Sequence, residues 1–299
     1  MDCNCSHVIL VGRTEATLLE TKALLQKESS SLSSTSAASA TATTVSIQRC
    51  DITSSADVQL LALHVRDVLD AVGERVGDEN LRLTHVVLNA GSGAILRFVD
   101  SSWPEYEAVA RSMMELNYFA NVRLLHTFLP LMTSKPSSNG SNISSNNGSR
   151  KTTAAARVLI VSSLAGVLPS TLRSSYTASK HAMQGFINAL RGEYRSDVVT
   201  FTNACPGYVD TAFHAKAASA SSATPSSNNK NSTASSHRAS SMSASECARI
   251  CVAACLNGEP EIIMTLSGKL GYWLRPLIPR VVDRLAAKKS FASVGLKGP

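Results

Sequence analysis

The sequence predicts an α/β protein built as one doubly wound parallel sheet. Two observations carry this. Short apolar runs alternate with longer stretches of helical apolar spacing along most of the chain, in β-α-β-α order. That order implies right-handed crossovers, which lay helices on both faces of a parallel sheet. In addition, 299 residues at 44% hydrophobic are enough to bury one substantial core.

The elements follow in order. His7 to Gly12 reads as a buried strand through Val8, Ile9, Leu10 and Val11, and Glu15 to Lys27 as a helix with Leu18, Leu19, Leu24 and Leu25 inward. A Ser/Ala/Thr connector at residues 29–44 has too little apolar surface to pack. Val45 to Cys50 is a second strand closed by Asp51, followed by a helix from Ser54 to Val72 capped by Thr53 or Ser54. Leu83 to Leu88 is a third strand ending in Asn89-Ala90-Gly91, and Pro104 to Leu131 one long helix or a pair. After a Ser/Asn tract, 134–153, come the strand Val158 to Ser162, the helix Ser174 to Tyr194 and the strand Val198 to Asn203. A third tract, 215–245, precedes a helix at Glu246 to Leu256 and a final strand at Glu261 to Thr265. The three tracts are expected as surface insertions in a single domain spanning residues 7–285, with a basic tail at 286–299.

Composition narrows the functional classes. A formal charge of +7 is spread along the chain apart from a C-terminal cluster, Lys269 to Lys289, with no nucleic-acid-binding motif beside it, so no nucleic-acid partner is expected. Seven cysteines in a chain of this size point to reduced thiols in a reducing compartment. Cys247, Cys251 and Cys255 recur every four residues and read as buried apolar side chains on one helix face, with no metal expected. No run of eighteen apolar residues and no leader pattern is visible, which gives a cytoplasmic location by default.

Chemistry concentrates at Tyr176-Thr-Ala-Ser-Lys180, with Ser163 thirteen residues upstream at a strand end. A phenol is a weak acid/base at neutral pH and needs a cation nearby. A spacing of four on a helix puts Lys180 on the face of Tyr176, and Ser163 supplies a hydroxyl for a substrate oxygen.

Four motifs in order, Asn89-Ala-Gly91, Val161-Ser-Ser-Leu-Ala-Gly166, Tyr176-Thr-Ala-Ser-Lys180 and Pro206-Gly207-Tyr-Val-Asp-Thr211, resemble those of the short-chain dehydrogenases/reductases, in the hydroxysteroid dehydrogenase and dehydrogenase/reductase branch. The resemblance implies a Rossmann-like fold in which Tyr176 is the general acid/base, Lys180 binds the nicotinamide ribose and lowers the tyrosine pKa, Ser163 orients the substrate oxygen and Asn117 relays protons. It also implies cofactor contacts at Asn89, Ala90, Gly91, Pro206, Gly207, Val209 and Thr211, with Asp51 and Ile52 at the adenine; a turn-forming role for Asp51 is the alternative.

Cofactor choice turns on Gly12-Arg13-Thr14 at the end of the first strand. Arg13 without a carboxylate suits a 2′-phosphate, so NADP(H) is expected. In the resembled family a strand and a Thr-Gly-x-x-x-Gly-x-Gly turn come first. His7 to Arg13 matches the second strand, so the first strand, that turn and the first helix are expected to be missing from this chain. The expected activity is hydride transfer between NADP(H) and a carbonyl or secondary alcohol on a lipophilic small molecule. The alternative is a non-catalytic interaction protein that keeps the fold and has lost the pyrophosphate site. Residues 270–285, mixing Trp273, Leu274, Leu277 and Ile278 with arginines, fit peripheral membrane contact, a cover for a lipophilic pocket, or a core-packing tail with exposed arginines. The resemblance further implies a homodimer through the helices of Asn117 and Tyr176, and an endoplasmic-reticulum location if an anchor precedes the chain.

Overall fold

A computed structural model describes residues 6–33, 43–78, 81–133, 154–213, 218–219 and 241–293. The chain divides into two compact units, Met1–Leu83 with Val122–Ser149, and Thr84–Asn121 with Arg150–Pro299.

In the first unit β1 (His7–Gly12) pairs in parallel with β2 (Thr44–Arg49), in register from His7 with Thr44 to Gly12 with Arg49. Between them α1 (Glu15–Ser33) runs past Lys27 into the Ser/Ala/Thr connector. Serine and alanine tolerate helix well enough to extend one already nucleated. The expected inner stripe is narrower than the spacing suggested: Leu18 is buried, whereas Leu19, Leu24 and Leu25 are exposed. The helix packs on a pair of strands too narrow to cover them.

The next helix, α2 (Ser55–Val76), begins where the Ser54 hydroxyl accepts the Asp57 N–H at 3.2 Å and ends at Gly77, whose left-handed φ of 69° closes the last turn. Val58, Leu61, Val65 and Val72 form its buried face.

Next come β3 (His85–Leu88), β4 (Ala94–Ile95) and α3 (Trp103–Met114), which continues through one π-helical turn at Glu115–Phe119 into α4 (Ala120–Thr133). The expected long helix is thus continuous but carries one wide turn, centred on Asn117. Then follow β5 (Ala156–Val161), α5 (Ser174–Glu193), β6 (Val199–Cys205), β7 (Val209–Asp210), β8 (Ala218–Ser219), β9 (Met242–Ser243), α6 (Ala244–Leu256), β10 (Glu261–Ile263), α7 (Leu266–Leu274) and α8 (Pro279–Ser293).

The second unit holds a four-stranded parallel sheet in the order β10-β6-β5-β3, which bears out the α/β parallel-sheet class. Two further parallel pairs, β4 with β8 and β7 with β9, bring short pieces of the third polar tract into regular structure. Residues 214–217, 220–240, 134–153, 34–42 and the tail beyond 293 lie outside the described residues.

Strand alternation explains the two covered faces of this sheet. Leu159 of β5 and Ala204 of β6 pack with Cys247, Cys251 and Cys255 of α6, so the cysteine stripe is core. Phe201 and Cys205, on the other phase of β6, face α5, where Met183 and Ile187 are fully buried. Deleting such a side chain costs about 2–5 kcal/mol, enough to make this sandwich a rigid frame for the loops at its strand ends.

Candidate active site

The carboxyl ends of β3, β5 and β6 carry the loops from which the site is built. β5 ends at Val161, and Ser163 then caps a short turn at Leu164–Gly166, its hydroxyl accepting the Ala165 N–H at 3.1 Å. That capping bond fixes the Ser163 rotamer while leaving its O–H free to turn toward the Tyr176 phenol, whose pKa it draws down.

Tyr176 and Lys180 lie one turn apart on α5, 5% and 6% exposed. The Lys180 Nζ donates to the Val161 carbonyl at 3.4 Å and stands 5.8 Å from the Tyr176 ring centre. Burial pushes the phenol above its ordinary value, against the Ser163 hydrogen bond and the Arg173 guanidinium, which pull it down. Burial brings the Lys180 ammonium down to about 8. Both groups are therefore shifted toward their neutral forms, and the cation with a resolved influence on Tyr176 is Arg173, at the N-terminus of the same helix.

Asn117 is 1% exposed and fully engaged. Its Nδ2 donates to the Ser92 carbonyl and the Ser179 hydroxyl, each at 3.0 Å, and its Oδ1 accepts the Ser92 N–H at 3.0 Å. Ser179 in turn donates to the Tyr176 carbonyl at 2.8 Å. Asn121 Nδ2 donates to the Asn117 carbonyl at 3.0 Å, inside the π turn. One side chain thereby ties the loop after β3 to α5. Gly91 lies beside it: a methyl there would sit 3.0 Å from Asn117 Oδ1 and 3.5 Å from Lys180 Nζ, so the backbone approaches both.

At the end of β6, the Pro206 carbonyl accepts the Leu164 N–H at 2.9 Å, locking this loop to the one that bears Ser163. A side chain on Gly207 would meet Thr265 Cγ2 at 2.7 Å. Val209 lies in β7, paired with Met242, and the exposed Thr211 accepts the Phe213 N–H at 3.3 Å. Phe213 packs 6.1 Å from the Tyr176 ring and, with Ala94, Met113 and Ala165, makes the surroundings of the phenol apolar.

The second unit thus places Asn117, Ser163, Tyr176 and Lys180 together, with Gly91 and Gly207 at the same strand ends. Asn89 and Ala90 are exposed beyond β3.

Arg13, Asp51 and Ile52 belong to the first unit. There the Asp51 carboxylate accepts from the Thr53 N–H at 3.0 Å and the Thr53 hydroxyl at 2.7 Å, bonds that hold it below the usual carboxylate range. This is the turn geometry named as its alternative role. The Ile52 side chain is buried, and its carbonyl accepts from Arg123 at 3.0 Å. Arg13 is exposed, and its carbonyl accepts from Arg49 Nε at 3.3 Å.

Sequence reasoning missed four residues. Arg49 closes β2 opposite Gly12, in register with the strand end that leads into Arg13. Ser92 follows Asn89-Ala-Gly91 directly, and Ser179 sits inside the Tyr176–Lys180 motif; both partner Asn117. Arg173 lies three residues before Tyr176, the spacing of one helical turn.

A family model described as short chain dehydrogenase matches residues 150–222, which include Ser163, Tyr176 and Lys180. The chain is 31% identical over 221 residues to a dehydrogenase/reductase SDR family protein 7-like of Dictyostelium discoideum, covering 74% of this chain and 60% of that protein. It is 27% identical over 183 residues to dehydrogenase/reductase SDR family member 7B of Rattus norvegicus, covering 61% and 49%. The chain therefore spans between about half and three fifths of the length of these relatives.

Among solved structures, its fold is similar to a short chain dehydrogenase from Burkholderia cenocepacia in complex with NADP, with a TM-score of 0.57, 17% identity and coverage of 94% and 98%. It is also similar to a short chain dehydrogenase/reductase from Burkholderia phymatum in complex with NAD, with a TM-score of 0.56, 20% identity and coverage of 97% and 86%. At these identities the likeness concerns the fold.

Proposed function

Because the chain belongs to the short-chain dehydrogenase/reductase family, we propose that it is an NADP(H)-dependent oxidoreductase acting between a lipophilic carbonyl compound and its secondary alcohol. The observation that carries this is the buried placement of Tyr176 and Lys180 one turn apart on α5, beside the Asn117 network and the strand end that bears Ser163, in the arrangement that acid/base work on a substrate oxygen needs.

In the reducing direction Ser163 holds the carbonyl oxygen, and Tyr176 gives its proton to that oxygen as negative charge develops there. Lys180, its charged form weakened by burial, accepts and returns protons near pH 8 and, with Asn117, restores the phenol through water. The residues at the strand ends of the second unit fit the nicotinamide half of a dinucleotide. Gly91 leaves open a space that a side chain would fill beside Lys180, and we assign Asn89, Ala90, Gly91, Lys180, Pro206, Gly207, Val209 and Thr211 to its nicotinamide half. In the first unit, Arg13 and Arg49 together suit a 2′-phosphate through charge-assisted hydrogen bonds. When bound, NADP(H) supplies or takes the hydride. The apolar surroundings of Tyr176 support a lipophilic substrate.

The test is absorbance at the nicotinamide band with aliphatic, aromatic and polycyclic carbonyls, under NADPH and NADH. Turnover with NADPH, lost in Tyr176→Phe, is the expected result. A folded chain that binds neither dinucleotide and turns over none of them would favour the non-catalytic interaction protein instead.

A further inference from the structure

We propose that the hairpin of α7 and α8 is a docking surface for an anionic phospholipid bilayer. This surface is separate from the catalytic chemistry and does not depend on it. In α7, Leu266, Leu270, Trp273 and Leu274 fall at i, i+4, i+7 and i+8, one face of a helix, and all four are exposed. The apolar strip continues across the turn through Leu277 and Ile278 and onto α8 at Val281 and Leu285. Trp273 is 74% exposed and Leu277 77%. Single exposed apolar residues are ordinary, whereas a contiguous strip marks an interaction surface.

The strip is not an undocked core face, because the hairpin is already anchored through its other side. Gly268 lies against Leu164 and Gly271 against Leu168, in the loop that carries Ser163, while Val282 and Phe291 are buried.

Charge chooses the occupant. Lys269, Arg280, Arg284, Lys288 and Lys289 are exposed around the strip. The one carboxylate in residues 266–293, Asp283, is held by Arg275 at 2.9 Å. A second copy of the chain would bring the same excess of cations face to face, whereas anionic headgroups would neutralise it. Length sets the mode of contact. The helices have 9 and 15 residues, and no described helix is long and apolar enough to cross a membrane, so the hairpin would lie in the headgroup region with Trp273 at its boundary.

The test is flotation of the purified chain with vesicles of phosphatidylcholine alone and of phosphatidylcholine mixed with phosphatidylserine, at low and high salt. The chain should float with the mixed vesicles at low salt and be released by high salt. In a Trp103→Phe background, Trp273 fluorescence should shift to the blue on binding. Trp273→Glu with Leu277→Glu should abolish flotation, and Lys288→Glu with Lys289→Glu should weaken partitioning at least about fivefold per cation. Far-UV circular dichroism matching the wild type establishes that each variant is folded. Should the double glutamate variant unfold, the Lys288/Lys289 variant and the fluorescence shift decide. A folded wild-type chain that stays at the bottom of the gradient with mixed vesicles overturns the proposal. So does a dimer in size exclusion, broken by Trp273→Glu with Leu277→Glu, that never floats: that result would give the strip to a second copy.

Discussion

Replacing Lys180 by methionine isolates what burial does at the site. Lys180 is 6% exposed, and burial brings its pKa from an ordinary 10.5 to about 8. That difference corresponds to about 3 kcal/mol by which the fold disfavours the charged amine. The sign follows from proton counts. Between about pH 8 and 10.5 the unfolded chain holds the Lys180 proton and the folded chain has released it, so stability rises with pH across that window. The penalty is fully present below about pH 8 and gone above about 10.5. Lys180→Met keeps the stem and removes the charge. It should therefore be more stable than the wild type by about 3 kcal/mol at pH 7, with the advantage fading to under about 1 kcal/mol at pH 10.5. Urea unfolding at both pH values measures this; with a slope of about 2 kcal/mol per molar, the midpoints should differ by about 1.5 M at pH 7. Other groups that titrate at high pH, Tyr176 among them, are common to both proteins and cancel in the difference. A gap that does not change with pH would show that the ammonium is solvated in the fold and would refute the reasoning.

Other perturbations bear on the scaffold and the cofactor. Asn117→Ala strips the Ser92 N–H and carbonyl of their partner and should cost about 2–4 kcal/mol in urea unfolding, with a loss under about 0.5 kcal/mol contradicting the role given to Asn117. In Gly207→Ala the new methyl would press on Thr265, whose hydroxyl caps α7 by accepting the Gly268 N–H at 3.1 Å, so thermal unfolding should reveal a loss of about 1–3 kcal/mol. Arg49→Ala should weaken NADPH binding in a fluorescence titration by about tenfold while leaving NADH unchanged. Equal weakening of both would remove Arg49 from 2′-phosphate recognition.

Much of the fold was legible because its strands are short apolar runs: β1 spans the expected His7 to Gly12, and β2 and β6 lie within two residues of expectation at each end. The candidate site residues were legible for a different reason. Ser163, Tyr176 and Lys180 carry chemistry at a spacing that one helix and one strand end can bring together.

What was hidden depends on contacts distant in sequence. The π turn at Asn117 leaves the apolar period of its helix unbroken, and its side chain is fixed by Ser92 and Ser179, which lie 25 and 62 residues away. The exposed side of α1 could not be read from its leucines, because exposure depends on how wide a sheet lies beneath them. Residues 270–285 read as an apolar and basic segment, and the hairpin they belong to emerges only once Gly268 and Gly271 are seen against Leu164 and Leu168.

Transfer of deuterium tests the central claim most directly. NADPH carrying deuterium at C4 of the nicotinamide would be incubated with the purified chain and a lipophilic ketone, and the alcohol examined by mass spectrometry and NMR. Deuterium at the carbinol carbon, placed on one face and absent with Tyr176→Phe, is the predicted result. Label transfer that persists undiminished in Tyr176→Phe would contradict the assignment of that phenol as the proton donor.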